Sequence, residues 1–260
     1  MVRKLLAFLS VYYAHMTVYR GEILFWLLSG LAPFFFMAIW VAAAREGLTD
    51  RDPLSFARYF FFVFAARQLQ VVWVTWTLSE EIKNGALAFK LLKPLDPLWH
   101  YLAQHLAERG VRLPMILVLV GVFWLLYPGA LVWTGPGALF LGLLASLLGF
   151  LLNFFVAYVL GLLALWLEES TDLYNAWYVL FMLFSGYLAP LDLYPEAVRA
   201  FLFWTPFPYL AYLPAALWAG EPVAGAGRAF GVLAGWTLLA WLLARGLWRA
   251  GLRRFSAMGA

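Results

Sequence analysis

The chain has 260 residues, of which 65% are apolar and 12% charged, with a formal charge of +4 and no cysteine. A globular protein carries about 45–50% apolar and about 25% charged residues, so a water-soluble fold is excluded and an integral membrane protein is indicated. The missing cysteine excludes a disulfide framework and a thiolate metal site, and the small, scattered positive charge leaves no footprint for nucleic acid.

The N-terminal stretch MVRKLLAFLSVYYAHMTVYRGE places Arg3 and Lys4 before apolar residues, as a secretory signal would. It lacks a small-residue cleavage site, and His15, Thr17 and Arg20 interrupt its apolar run. Leu5, Leu9, Tyr12, Met16 and Tyr19 recur at helical spacing, which predicts an uncleaved interfacial helix over 1–21. The alternative is a long leader into the first span.

Six apolar segments follow, at about 22–44, 56–78, 112–128, 137–166, 173–190 and 228–247. Each approaches the roughly 20 residues a helix needs to cross a hydrocarbon core. The expectation is a single all-α transmembrane domain over 1–260. Pro128, Gly129, Gly135, Pro136 and Gly137 turn the chain between the third and fourth spans.

Lys and Arg set the orientation. With the N-terminus inside, Arg3, Lys4, Arg20, Lys83, Lys90, Lys93, Arg109, Arg112, Arg245, Arg249, Arg253 and Arg254 are cytoplasmic, whereas Arg45, Arg51, Arg199 and Arg228 are external. Both termini are then cytoplasmic. Within the second span, Arg58 is expected to snorkel outward. Arg67 shares a helical face with Gln70 near the middle. A central arginine costs about 2.5–3.5 kcal/mol on insertion scales, so it should face protein or water. Two readings stand: a polar patch on a conduit or subunit seam, or a structural arginine bonded to a neighbouring backbone.

Between the second and third spans, residues 79–111 form a cytoplasmic stretch. Thr77-Leu-Ser-Glu80 has the form of a capping box, with Ser79 as an alternative N-cap. Glu80 and Glu81 then lie at the positive end of a helix dipole, and Lys90 and Lys93 at the negative end. Leu78, Ile82, Ala86 and Phe89 share a face, and Lys93-Pro94 ends the helix. Asp96-Pro97 starts another, with Asp as N-cap and Pro at the first helical position. Two short helices joined by a rigid elbow are expected.

In the fourth span Gly142, Ser146, Gly149, Asn153, Ala157 and Gly161 form a small-residue ribbon along one face. The reading is close helix packing, with a solute contact by Asn153 as the lesser alternative. Glu168, Glu169 and Asp172 crowd the next cytoplasmic turn, where they are either solvated, paired with Arg109 or Arg112, or in contact with a partner. The region 190–227 is too broken by proline for a span and too apolar for a solvated loop. It reads as an external re-entrant region, with Trp204, Tyr209, Tyr212 and Trp218 at headgroup level.

Chemistry is sparse. No phosphate-binding G-x-x-x-x-G-K-[ST] loop, H-E-x-x-H or G-x-S-x-G occurs. His15, His100 and His105 make no metal constellation, and no carboxylate pair is set within the spans.

EEIKNGALAFKLLKPLDPLWHYLAQH resembles the segment after the second span in type-2 ABC transporter permeases, the exporter class. Their E-x-x-x-G-x-L-x-x-L-L-x-x-P pattern, which forms the helix that couples to the ATPase, falls on Glu81, Gly85, Leu87 and Pro94. The paired leucines, Leu91 and Leu92, come one place later than in many members. The adjoining Glu80 and Lys93 belong to the same candidate coupling site. FSGYLAPLDLYPEAVRAFLFWTPFPYLAYLPAALWAGE resembles the stretch between the fifth and sixth spans of a bacterial six-span subgroup, through Gly186, Pro190, Pro195, Pro206, Phe207, Pro214 and Gly220. In that family such external helices line or gate the exit.

The resemblance implies a permease subunit of an ATP-driven exporter in the bacterial cytoplasmic membrane, working by alternating access. It would have a second permease copy or paralogue and separate ATPase subunits as partners, and membrane lipids around it. ATP and magnesium would bind on those ATPase subunits, with no cofactor on this chain. The rivals are a six-span transporter or channel outside the ABC class, and a membrane-embedded enzyme. The former predicts inverted repeats with broken helices at the midplane, which the sequence does not display.

Overall fold

A computed structural model of the chain describes residues 10–14, 18, 21, 25, 28, 30–167, 170–223 and 225–255. The interfacial helix expected over 1–21 and the start of the first span fall mostly outside the described residues. So do Glu168 and Glu169. The elements are α1 (Ala32–Arg45), α2 (Pro53–Gln70), α3 (Val74–Lys83), α4 (Leu87–Leu91), α5 (Pro97–Leu126), α6 (Pro136–Leu162), α7 (Thr171–Phe184), α8 (Glu196–Leu202), α9 (Tyr212–Ala219) and α10 (Ala226–Leu252). Among the described residues there is no strand. Four stretches are long and apolar enough to cross a membrane: 53–83 taken through its break, α5, α6 with the 3₁₀ turn that follows, and α10. The shorter α1 is apolar as well. α7 has 14 residues and ends at Phe184, short of the expected 173–190.

α6 is the hub, packing against α10, α3, α9, α2 and α7. Its small-residue ribbon explains how so many neighbours fit. A Cβ added at Gly142 would overlap the Trp218 indole of α9, and one at Gly149 would lie 2.9 Å from the Gln70 side chain. At Gly161 it would lie 3.1 Å from the Thr75 Cα. Ser146 and Asn153 are buried on the same face. α2 is largely buried beyond its first turn, with Arg58, Phe62, Arg67 and Leu69 partly covered. Its Phe56, Tyr59, Phe60 and Phe61 form one core with Phe123, Phe181 and Tyr187.

The end of the bundle away from the elbow is closed by the proline-rich stretch between α7 and α10. Tyr59 donates to the Gly186 carbonyl at 2.8 Å, and the Tyr212 amide donates to the Ser185 carbonyl. Pro190, Pro195 and Pro206 each immediately precede a helical turn, and Pro214 is buried within α9. Arg51 bridges Asp192 and Glu221, pinning the loop after α1 to this cap. Arg58 donates to the Ala130 carbonyl in the turn before α6. Trp204 is exposed, whereas Tyr209 and Trp218 are buried in the protein. The reason is that α9 folds inward against α2 and α6.

Candidate functional site

The second span and its cytoplasmic continuation depart most from expectation. There is no unbroken helix over 56–78 and no new helix capped at Thr77 or Ser79. Instead α2 ends at Gln70, residues 71–73 are non-helical, and α3 runs from Val74 through Thr77 and Ser79 to Lys83. Val71 is extended, with φ −59° and ψ 132°. Two successive β-branched residues, Val71 and Val72, weaken helix propensity here. Tertiary partners decide the rest.

Opening a helix within a membrane frees backbone polar groups that lipid cannot satisfy. Here side chains from three other helices meet them. Arg109 of α5 donates to the Leu69 and Val71 carbonyls at 2.7 and 2.6 Å. Asn153 of α6 donates to the Gln70 carbonyl at 2.9 Å, and the Tyr174 hydroxyl of α7 to the Val72 carbonyl at 3.3 Å. The Trp73 amide donates to His105 Nε2 at 3.1 Å. Since that amide can only donate, Nδ1 carries the imidazole proton and donates to the Tyr101 carbonyl at 2.7 Å. The Trp73 indole donates to Glu108 at 2.6 Å. Glu108 pairs with Arg112, which also donates to Gln68 at 2.9 Å. Gln68, His105, Glu108 and Arg112 are all buried.

Arg109 and Arg112 are therefore internal, level with residues 68–71, rather than part of the cytoplasmic surface. The cause is that Asp96 caps α5, accepting from the Leu98 amide at 3.0 Å, and the helix then continues to Leu126. The second short helix of the expected elbow and the third span are one element. His100 and His105 both point inward, and no metal-holding group occurs among the described residues. Glu108 was the residue sequence reasoning passed over. Its signal was the Glu108–Arg112 spacing of four in an apolar helix, facing Gln68 and Gln70 in another.

Arg67 sits beside this network. Its guanidinium lies 5.2 and 5.0 Å from the ring centres of Tyr178 and Phe181. Aromatic faces of α7 thus stabilise the charge within the chain, at about 0.5–2 kcal/mol for a cation over a ring. The Gln70 side chain is buried on the α6 ribbon, and its Nε2 has no hydrogen-bond partner among the described residues.

The elbow after α3 forms a second arrangement. α3 stops at Asn84 and Gly85 turns the chain, with φ +74°, a region open to glycine. Gly85 is thus a turn residue, not the helix-interior residue expected. Glu81 accepts from Lys90 at 2.6 Å and from the Tyr101 hydroxyl at 2.5 Å, clasping α4 and α5 to α3. Lys90 also lies over the Tyr101 ring. Burial pulls the Lys90 ammonium below the usual lysine range, opposed by its bond to Glu81. Leu87 is wholly buried and anchors α4. Because Gly85 turns the chain, Phe89 does not share the face of Leu78 and Ile82. It is 72% exposed, and Leu92 is 83% exposed. Glu80, Lys93 and Pro94 are exposed beside them, and Leu91 is partly buried. A cleft of about 490 Å³ opens alongside, between Trp76, Glu80, Lys83 and Thr171.

The model of the ABC-2 family transporter protein family matches residues 54–259, well over half the chain and all of the arrangements just described. No curated protein matches it. With its apolar helices, this makes the chain a multi-pass membrane protein. Permeases of this kind are not themselves ATPases and work with ATPase subunits. The chain belongs to the ABC-2 transporter family, as a transporter permease.

Proposed function

We propose that the chain is the permease subunit of an ATP-driven exporter, coupled to separate ATPase subunits through the elbow formed by α3, α4 and the start of α5. The observation that carries this reading is the pairing of a partly buried clasp with an exposed apolar tip. Glu81, Lys90 and Tyr101 fix α4 to α3 and to the long α5, while Phe89 and Leu92 extend from it. An exposed Phe and Leu beside Lys93 suit a protein partner better than water. Force applied at the tip would reach α3 and α5 without a flexible linker.

ATP and magnesium bind on the ATPase subunits in this reading. A second permease copy or paralogue completes the transporter, which works by alternating access in the bacterial cytoplasmic membrane. Both termini lie in the cytoplasm. That orientation rests on the basic side chains at the elbow end, Lys83, Lys90, Lys93, Arg245, Arg249, Arg253 and Arg254. Arg109 and Arg112 no longer count toward it. Arg67 and Gln70 are the residues proposed for the pathway or the subunit seam. Gly186, Pro190, Pro195, Pro206 and Pro214 shape the external gate. Outside the buried polar network around residues 67–73 the interior is apolar, which suits a hydrophobic or amphipathic substrate.

The test is affinity capture of the tagged chain from its native membrane. A co-purifying polypeptide with a phosphate-binding loop, identified by mass spectrometry, and ATP hydrolysis by the complex are expected. If the complex forms and hydrolyses ATP equally well when both Phe89 and Leu92 are changed to aspartate, the elbow is not the docking site.

A further inference from the structure

On the far side of α5 from the clasp, the start of α5 and the last turns of α10 enclose a second cleft of about 490 Å³. Trp241, Arg245 and Arg249 line it from α10 at spacings of four, so they stack on one face about 6 Å apart. Trp99 and Leu98 line it from α5. Gly246 is its floor, and a Cβ there would meet nothing within 4 Å.

The charges are unequal. Arg245 is engaged by Asp96, the N-cap of α5, whereas Arg249 is exposed and has no ion pair among the described residues. The cleft therefore carries one uncompensated cation, with exposed Arg253 a further turn along. Toward the bilayer, the same helix continues into the exposed side chains Leu238, Leu239, Leu242 and Leu243. The order along α10 is thus a run of exposed leucines with Trp241 among them, then arginine. It follows the order of a lipid from acyl chain to phosphate. Tryptophan settles at the membrane interface, and guanidinium binds phosphate oxygens through a planar fork. Basic pockets between spanning helices hold anionic headgroups.

We infer that this cleft binds one anionic glycerophospholipid, its phosphate on Arg249 and its chains along the leucines of α10. The inference requires that the chain cross a membrane, and it does not require coupling to an ATPase. The continuity with the apolar face of α10 favours a lipid over a soluble phosphate or a protein surface.

The test uses the purified full chain in detergent, with retained lipid counted by native mass spectrometry after addition of phosphatidylglycerol or phosphatidylcholine. Phosphatidylglycerol is expected to be retained in preference, and millimolar inorganic phosphate should not displace it. Arg249→Gln should lower phosphatidylglycerol retention about fivefold, the effect of one basic residue near an anionic headgroup. Gly246→Leu fills the cleft with a better helix former, so it should lower retention without lowering thermal stability. Equal retention of the two lipids, or unchanged phosphatidylglycerol retention in both variants, overturns the inference. Displacement by phosphate would make the cleft a soluble-anion site. Loss of ATPase capture by Arg249→Gln with lipid retention intact would make it a protein surface. Either result also overturns the inference. No ATP or ATPase enters the lipid measurement, so its failure would leave the exporter reading untouched.

Discussion

Two interruptions lie along the helical path from Pro53 to Leu91, and they are built in opposite ways. At 71–73 the freed backbone groups are met by Arg109, Asn153, Tyr174 and His105, from three different helices. At 84–86 the turn is local, made by a glycine with φ +74° and tied down by Glu81, Lys90 and Tyr101. The first interruption is held by side chains from the chain's own helices. The second leaves Phe89 and Leu92 in the open. A break held by side chains of three other helices fixes the angle between α2 and α3. An elbow with an uncovered apolar tip is completed from outside. The difference separates a structural joint from a docking surface.

The largest effect should come from the joint. Arg109→Met leaves the Leu69 and Val71 carbonyls unpaired in an apolar setting, each at a cost of about 1–3 kcal/mol. Folded yield in detergent should fall sharply, and a thermal midpoint equal to the parent's would dissolve the contrast between the two regions. Gly149→Leu comes next, because the Gln70 side chain occupies the space of a new Cβ. Overpacking costs about 1–3 kcal/mol, and circular dichroism on heating would register it. Asn153→Ala removes one carbonyl partner, so its loss should be about half that of Arg109→Met or less. An additive double variant with Arg109→Met would show that the two caps act independently.

How much of this could be read from the sequence follows the same division. The small-residue ribbon of α6, the Asp96-Pro97 start of α5 and the broken external region depend on local spacing and capping, and they are visible in the letters. The break at Val71 is not, because no proline or glycine marks it. It exists because groups far apart in sequence, such as Gln70 and Asn153, satisfy one another. The capping box at Thr77 failed for a related reason. Ser79 bonds Ser170 across the protein at 2.7 Å instead of capping a helix, and α3 had already begun at Val74. Arg67 lies against the aromatic rings of Tyr178 and Phe181. Rings do not look like ligands for a cation in a sequence dense with them.

At the elbow, small structural effects should accompany large functional ones. Lys90→Met removes an ion pair near the surface, worth under about 1 kcal/mol, so the thermal midpoint should barely move. ATP hydrolysis stimulated by the permease should nevertheless fall, because α4 would no longer be fixed to α3. A large loss of stability with normal coupling would reverse the assignment of joint and docking surface. Gly85→Val tests the same region through the backbone, since a β-branched residue cannot adopt φ +74° without strain.

The most direct test is to measure ATPase capture and thermal stability together in Leu92→Asp. Leu92 is 83% exposed, so the isolated chain should fold and melt as the parent does. Capture of the ATPase and its stimulated hydrolysis should be lost by tenfold or more, taking about 1.4 kcal/mol as a factor of ten. A variant that melts normally and still captures and stimulates the ATPase like the parent would contradict the account.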